Sequence, residues 1–152
     1  MNRHLLILTT IIFCLCQLSF AGEGFWETHG PYGGEIWEVE FGGTRGLCYA
    51  GGEGGLFTSF DDGANWEKRT PELVPISDYG VHCRTFSICQ AQPGLVYAAF
   101  GDYYQYQLFK SEDAGATWQL LDVPAETDVL SAVACDPNDP DRVYVAYSEG
   151  GG

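Results

Sequence analysis

Residues 35 to 41 read EIWEVEF, with Trp37, Val39 and Phe41 alternating against Glu38 and Glu40. A period of two over that length predicts a β-strand with one apolar and one polar face, the apolar one turned to a core. GLCYAGG and GLFTS follow with glycines between them, and Trp66 then leads into EKRT. The order repeats as HCRTFSIC, LVYAAF, YQLFKS and WQLLDV, and VLSAVAC and RVYVAY close the series. No window sustains a helical period. The 20 glycines gather between these segments, where tight connections between short strands need them. The pattern predicts an all-β chain.

Alignment on Tyr49, Tyr97 and Tyr144 shows that the strands belong to a repeat. LCYAGGEGGLFTSFDDGANW and LVYAAFGDYYQYQLFKSEDAGATW share Tyr-Ala, Leu-Phe-x-Ser and an Asp/Gly/Trp phrase, and RVYVAYSEGGG begins a third copy. The phrase is SFDDGANW at residues 59–66 and SEDAGATW at 111–118. Four-stranded units of roughly 45 to 50 residues have the size of propeller blades, which cannot bury both faces alone and so must stack. Ser-x-Asp-x-Gly-x-Thr-Trp resembles the Asp box, or BNR repeat, of the Asp-box β-propeller superfamily; residues 59–66 depart from it at Asn65 alone. The expected fold is therefore a β-propeller of four-stranded antiparallel blades with Asp-box hairpins, of which about two and a half are present.

The division that follows is a signal peptide at 1–21, a closing strand at 22–34 and blade 1 at 35–71. Blade 2 takes 72–124 and a partial blade 3 takes 125–152. Arg3 and His4 precede the apolar LLILTTIIFCLCQLSF, and Ser19 and Ala21 are the small residues of a cut before Gly22. That is the layout of a secretory leader, shorter and more polar than a membrane span. The expectation is a secreted protein, extracellular or periplasmic, cleaved after Ala21 and not inserted in a membrane. The chain reads as the front end of a longer protein, with the remaining blades among its partners.

Removal of the leader takes away Arg3 alone, leaving six cationic against 21 acidic side chains, a formal charge of −15. Such a chain repels phosphate backbones, so no nucleic acid is expected as a partner. Cys48, Cys83, Cys89 and Cys135 remain, too sparse for a disulfide scaffold, and their pairing is open. Cys48 occupies the repeat position of Val96 and Val143 and is expected to be a small buried residue. No Cys/His spacing suggests zinc, and DPNDPD at 136–141 reads as a turn, so no metal and no cofactor are expected.

In the Asp boxes the expected roles are structural. Ser59, Asp61, Gly63 and Trp66, with Ser111, Asp113, Gly115, Thr117 and Trp118, make hairpins between the third and fourth strands. Asp61 and Asp113 accept turn amides, Gly63 and Gly115 take unusual backbone angles, and the tryptophans pack between blades.

Resemblance to the superfamily places binding on the opposite face, at the second-to-third-strand loops. There the expected ligand residues are Glu53, Asp78, Tyr79, His82, Asp102, Tyr103, Tyr104 and Tyr106, aromatic rings beside carboxylates that suit a sugar. The arginine triad of the superfamily's sialidases is missing, and so is the aspartate that xyloglucan hydrolases carry before the first Gly-Gly. No catalytic carboxylate pair can be assigned. The reading is a non-catalytic module binding a glycan or an extracellular protein. The alternative is the N-terminal part of a secreted glycoside hydrolase, sialidase- or xyloglucanase-like.

Overall fold

The computed structural model describes residues 29–72, 80–102, 105–123 and 129–148. Among them the chain forms strands β1 (Ile36–Phe41), β2 (Cys48–Gly52), β3 (Gly55–Ser59), β4 (Glu67–Lys68), β5 (His82–Ile88), β6 (Val96–Gly101), β7 (Tyr106–Ser111), β8 (Gln119–Leu120), β9 (Val129–Asp136) and β10 (Asp139–Ser148). They pair antiparallel in chain order as β1-β2-β3-β4, β5-β6-β7-β8 and β9-β10. Each sheet is one copy of the repeat.

The sheets stack, and the stacking explains their composition. Every residue of β6 is buried, because both faces of the second sheet are covered. Val96, Ala98 and Phe100 share one core with Tyr49 and Leu56 of the first sheet. Tyr97, Ala99 and Leu108 share another with Leu130 and Val133 of the third. A strand buried on both sides must be apolar at consecutive positions, which is why LVYAAF shows no alternation.

Register fixes the repeat to the residue. Glu40, Ser87 and Ala134 face Tyr49, Tyr97 and Tyr144 across the first two strands of each sheet, a step of 47 residues (87 − 40 and 134 − 87). β1, β5 and β9 are edge strands, with amides unpaired on their outer side. At β5 and β9 the preceding sheet caps such amides with side chains. Glu38 Oε2 accepts from Phe86 N at 3.2 Å, Glu40 Oε2 from Ile88 N at 3.3 Å, and Ser87 Oγ from Cys135 N at 3.0 Å.

This changes the reading of EIWEVEF. Glu38 and Glu40 are half-buried against the second sheet, whereas Val39 is 55% and Phe41 75% exposed. Alternation is present, but the polar face is the one turned to the neighbouring sheet, because there the edge amides need acceptors.

The hairpins at 59–66 and 111–118 are near copies. Ser111 Oγ accepts from Gly115 N at 2.8 Å, and Asp113 Oδ1 accepts from Thr117 N at 2.7 Å. Ser59 and Asp61 do the same for Gly63 N at 2.9 Å and Asn65 N at 2.8 Å. Asn65 Nδ2 reaches Asp61 Oδ2 at 2.7 Å where Thr117 Oγ1 reaches Asp113 Oδ2 at 2.6 Å, so the one departure from the motif keeps its bond. Gly63 and Gly115 have φ of 89° and 87°, and the preceding Asp62 and Ala114 are also left-handed at 59° and 57°.

The tryptophans diverge. Trp118 Nε1 donates to Arg69 O of the first sheet at 2.6 Å, and its ring meets Phe100 edge-on at 5.0 Å. Trp66 lies half-buried over its own Gly63, as Trp118 does over Gly115. Among the described residues the Trp66 ring meets no neighbouring sheet, whereas Trp118 reaches the preceding one.

Cys89 and Cys135 form a disulfide across the second and third sheets, and Cys48 and Cys83 are free and buried. DPNDPD makes the β9–β10 turn, where Asp136 Oδ1 accepts from Asn138 N at 2.9 Å. Of the expected closing strand, 22–28 lie outside the described residues. Residues 29–34 are irregular, and Gly33 and Gly34 pack on Phe57 and Glu53.

Candidate functional site

Antiparallel order brings the β2–β3 and β6–β7 turns to the same end of their sheets, together with the starts of β1 and β5. Glu53 lies in the first of these turns. Its Oε2 accepts from Glu35 N at 3.3 Å, while its own amide donates to Glu35 O at 2.9 Å. Asp102 opens the second turn, where Oδ1 accepts from Gln105 N at 3.0 Å. Both carboxylates hold backbone in place, as short acidic side chains at turns commonly do.

His82 and Tyr106 flank Gly101, one on each side of the central strand. His82 is 3% exposed and packs against Trp37 at 5.8 Å between ring centroids. Tyr106 is half-buried and leans on the core shared with the third sheet. Register thus gathers Glu53, His82, Asp102 and Tyr106 at one end of the stack, and of these His82 is withdrawn from the surface. Asp78, Tyr79, Tyr103 and Tyr104 lie outside the described residues.

Trp37 is the residue that the sequence reading missed. It sits in a bulge of β1 between Ile36 and Glu38, next to the Glu53 turn, and is 37% exposed. Arg84 occupies the matching bulge of β5, and Ser131 is passed over between Leu130 and Ala132 in β9. The three are 47 residues apart (84 − 37 and 131 − 84), one per inner edge strand. A bulge frees a side chain from the sheet's alternation and re-aims it, and bulges are frequent beside binding sites. The 47-residue offset could have shown this row in the sequence, since Trp, Arg and Ser share no core chemistry.

Electrostatics at the inner edge centre on Glu40. Its carboxyl is held above the ordinary 4.5 chiefly by burial and next by the Glu38 charge, against the opposing bond from Ile88 N. Tyr49, buried behind it, has its hydroxyl pushed up to about 12 by burial. On the outer rim a groove of about 350 Å³ runs between Lys68–Glu72 and Gly115–Trp118. Among the described residues no three His, Cys, Asp or Glu side chains cluster to hold a metal ion.

No family model matches the sequence, and no curated protein does. Solved structures do. A GH74 xyloglucanase from Xanthomonas campestris superposes with a TM-score of 0.66 at 20% identity, over 80% of this chain and 20% of that one. YCF48 bound to a D1 peptide superposes with a TM-score of 0.54 at 17% identity, over 71% of this chain and 32% of that one. The chain therefore spans a fifth to a third of these proteins, and at such identities the likeness is one of fold. Stacked antiparallel sheets, two of four strands and one of two, superposable on both, give this chain a propeller-like all-β fold.

Proposed function

We propose that the chain is an exported, non-catalytic binding module that takes a neutral oligosaccharide at the turn end of its sheets. The observation that carries the reading is Trp37, a flat ring 37% exposed on a bulge of β1, with the exposed Arg84 on the matching bulge of β5. Pyranose rings have apolar faces and hydroxyl edges, so an aromatic plane and a planar guanidinium are suited to them. Glu53 and Asp102, two carboxylates at this end, are occupied with backbone amides, which favours binding over acid–base work. The Cys89–Cys135 bond suits an oxidising compartment and supports export after cleavage at Ala21.

Titration calorimetry with cellohexaose tests this. The wild type should bind, and Trp37→Ala should weaken binding about 10-fold, the worth of one ring–sugar contact near 1.4 kcal/mol. Equal affinity of the two proteins would remove Trp37 from the site. Binding of peptides in place of sugars would transfer the site to a protein partner, and release of reducing ends would support the glycosidase reading.

A further inference from the structure

The groove on the outer rim lies between two hydrogen-bonded walls. One is the segment after β4, where Arg69 N donates to Leu56 O at 2.7 Å and Leu56 N to Thr70 Oγ1 at 3.3 Å. The other is Gly115–Trp118, where Asp113 Oδ1 holds Thr117 N at 2.7 Å. The Trp118 indole spans the two, with Nε1 on Arg69 O at 2.6 Å and Cζ2 3.3 Å from where a Cβ on Gly115 would stand. A space of about 350 Å³ beside an aromatic ring has the size of a small-molecule pocket.

The cations of this groove are not a requirement of the fold. Lys68 faces Phe57 across β3–β4 as Leu120 faces Phe109 across β7–β8, a step of 52 residues (120 − 68). Leu121 N donates to Leu108 O at 2.9 Å as Arg69 N does to Leu56 O. The second sheet thus fills with Leu120 and Leu121 the backbone positions that the first gives to Lys68 and Arg69. Beyond Arg3 the chain has six cationic side chains (7 − 1) against 21 acidic ones, and two adjacent ones line this groove. Among the described residues no carboxylate pairs with Lys68. Arg69 bonds Glu67 through Nη2, and its Nε is enclosed without an acceptor.

We propose that this groove is a second binding site, taking the uronate unit of an acidic saccharide. A carboxylate meets the planar guanidinium of Arg69 and the ammonium of Lys68 through charge-assisted bonds. The pyranose ring brings an apolar face to the indole and hydroxyls to Thr70 and Glu72. Charge selects a monoanion. Lys68 and Arg69 against Glu72 leave one positive charge in the lining, and a sulfate or phosphate dianion would turn it negative. Glu67 reaches Arg69 from a position 64% exposed, where water screens it. The groove follows β4, at the opposite edge of its sheet from β1 and Trp37, so the site is independent of the neutral-oligosaccharide reading.

Chemical-shift titration with methyl β-glucuronide, methyl β-glucoside and acetate tests the proposal. The glucuronide should move the Trp118 indole N–H and the amides of Lys68–Thr70 and Gly115–Trp118, with a dissociation constant on the order of 1 mM. The glucoside lacks the charge and acetate lacks the ring, so each should bind about 10-fold more weakly or less. Lys68 is exposed and Lys68→Leu copies Leu120, so this variant should keep the wild-type circular dichroism. Arg69→Lys keeps the charge and loses the planar fork. Each variant should weaken glucuronide binding about 10-fold, the worth of one charge-assisted bond. The proposal is overturned by a wild type that does not bind the glucuronide, or by shifts confined to the end that carries Trp37. It is overturned equally by glucoside or acetate binding as tightly as the glucuronide, or by either variant binding like the wild type.

Discussion

Trp66 and Trp118 hold the same repeat position, yet among the described residues only Trp118 reaches a neighbouring sheet, and their replacement should separate cleanly. For a buried tryptophan, truncation to alanine costs about 3 to 5 kcal/mol. Trp118 is half-buried, which puts Trp118→Ala near the lower end, about 3 kcal/mol. Of this, the bond from Nε1 to Arg69 O accounts for about 1 kcal/mol, and the edge-on contact with Phe100 with its packing for about 2. Trp118→Phe keeps most of the ring and loses the donor, so it should cost about 1 kcal/mol. Trp66→Ala removes a ring that, among the described residues, covers its own hairpin and should cost about 1 kcal/mol. Urea unfolding followed by far-UV circular dichroism measures all three. With a slope near 2 kcal/mol/M, Trp118→Ala should lower the midpoint by about 1.5 M and the other two by about 0.5 M. Equal shifts for Trp66→Ala and Trp118→Ala would refute the claim that the second tryptophan bridges sheets.

Asp61 and Asp113 have carboxyls held below the ordinary 3.8, mainly by the side-chain bonds from Asn65 and Thr117. Their contribution is present above that value and lost as pH falls through the folded pKa, so Asp113→Asn should flatten the acid limb of a stability–pH profile. Glu40 runs the other way. Its raised pKa means stability present below 4.5 and lost as pH rises through the folded value, so Glu40→Gln should be the more stable protein at pH 7 and erase that loss. Reduction of Cys89–Cys135, which closes a loop of 46 residues, should cost about 2 to 4 kcal/mol in thermal or urea unfolding. Hydrogen exchange should show the loss concentrated in β9 and β10.

Strand positions and the repeat were legible because each strand is short, apolar and bounded by glycine, and the strand segments read from EIWEVEF to RVYVAY lie within or beside their observed counterparts, whereas no strand forms over 29–34. Hairpin bonding at 59–66 was legible too, since Ser59, Asp61 and Gly63 act through their own turn. Long-range pairing was not. Cys89–Cys135 depends on the stacking of two sheets, and nothing in the cysteine spacing encodes it. The orientation of β1 was misread because alternation gives a period and not a direction, and the acceptor demand of the β5 edge turns Glu38 and Glu40 inward. His82 reads as a surface ligand from its place after a loop, yet packing on Trp37 buries it. Trp37 was hidden by the bulge, which shifts one residue out of the period that strand reading relies on.

Side-chain capping of edge amides across sheets is the feature on which the stacked arrangement rests, and amide exchange reads it directly. Phe86 and Ile88 donate away from β6, to Glu38 and Glu40 of the first sheet. In the stacked arrangement these two amides exchange slowly in the wild type. Glu38→Ala should accelerate Phe86, and Glu40→Ala should accelerate Ile88, each leaving the β5–β6 ladder protected. Rapid exchange of Phe86 and Ile88 in the wild type, at the rate of a bare edge strand, would contradict the stacking of the first sheet on the second.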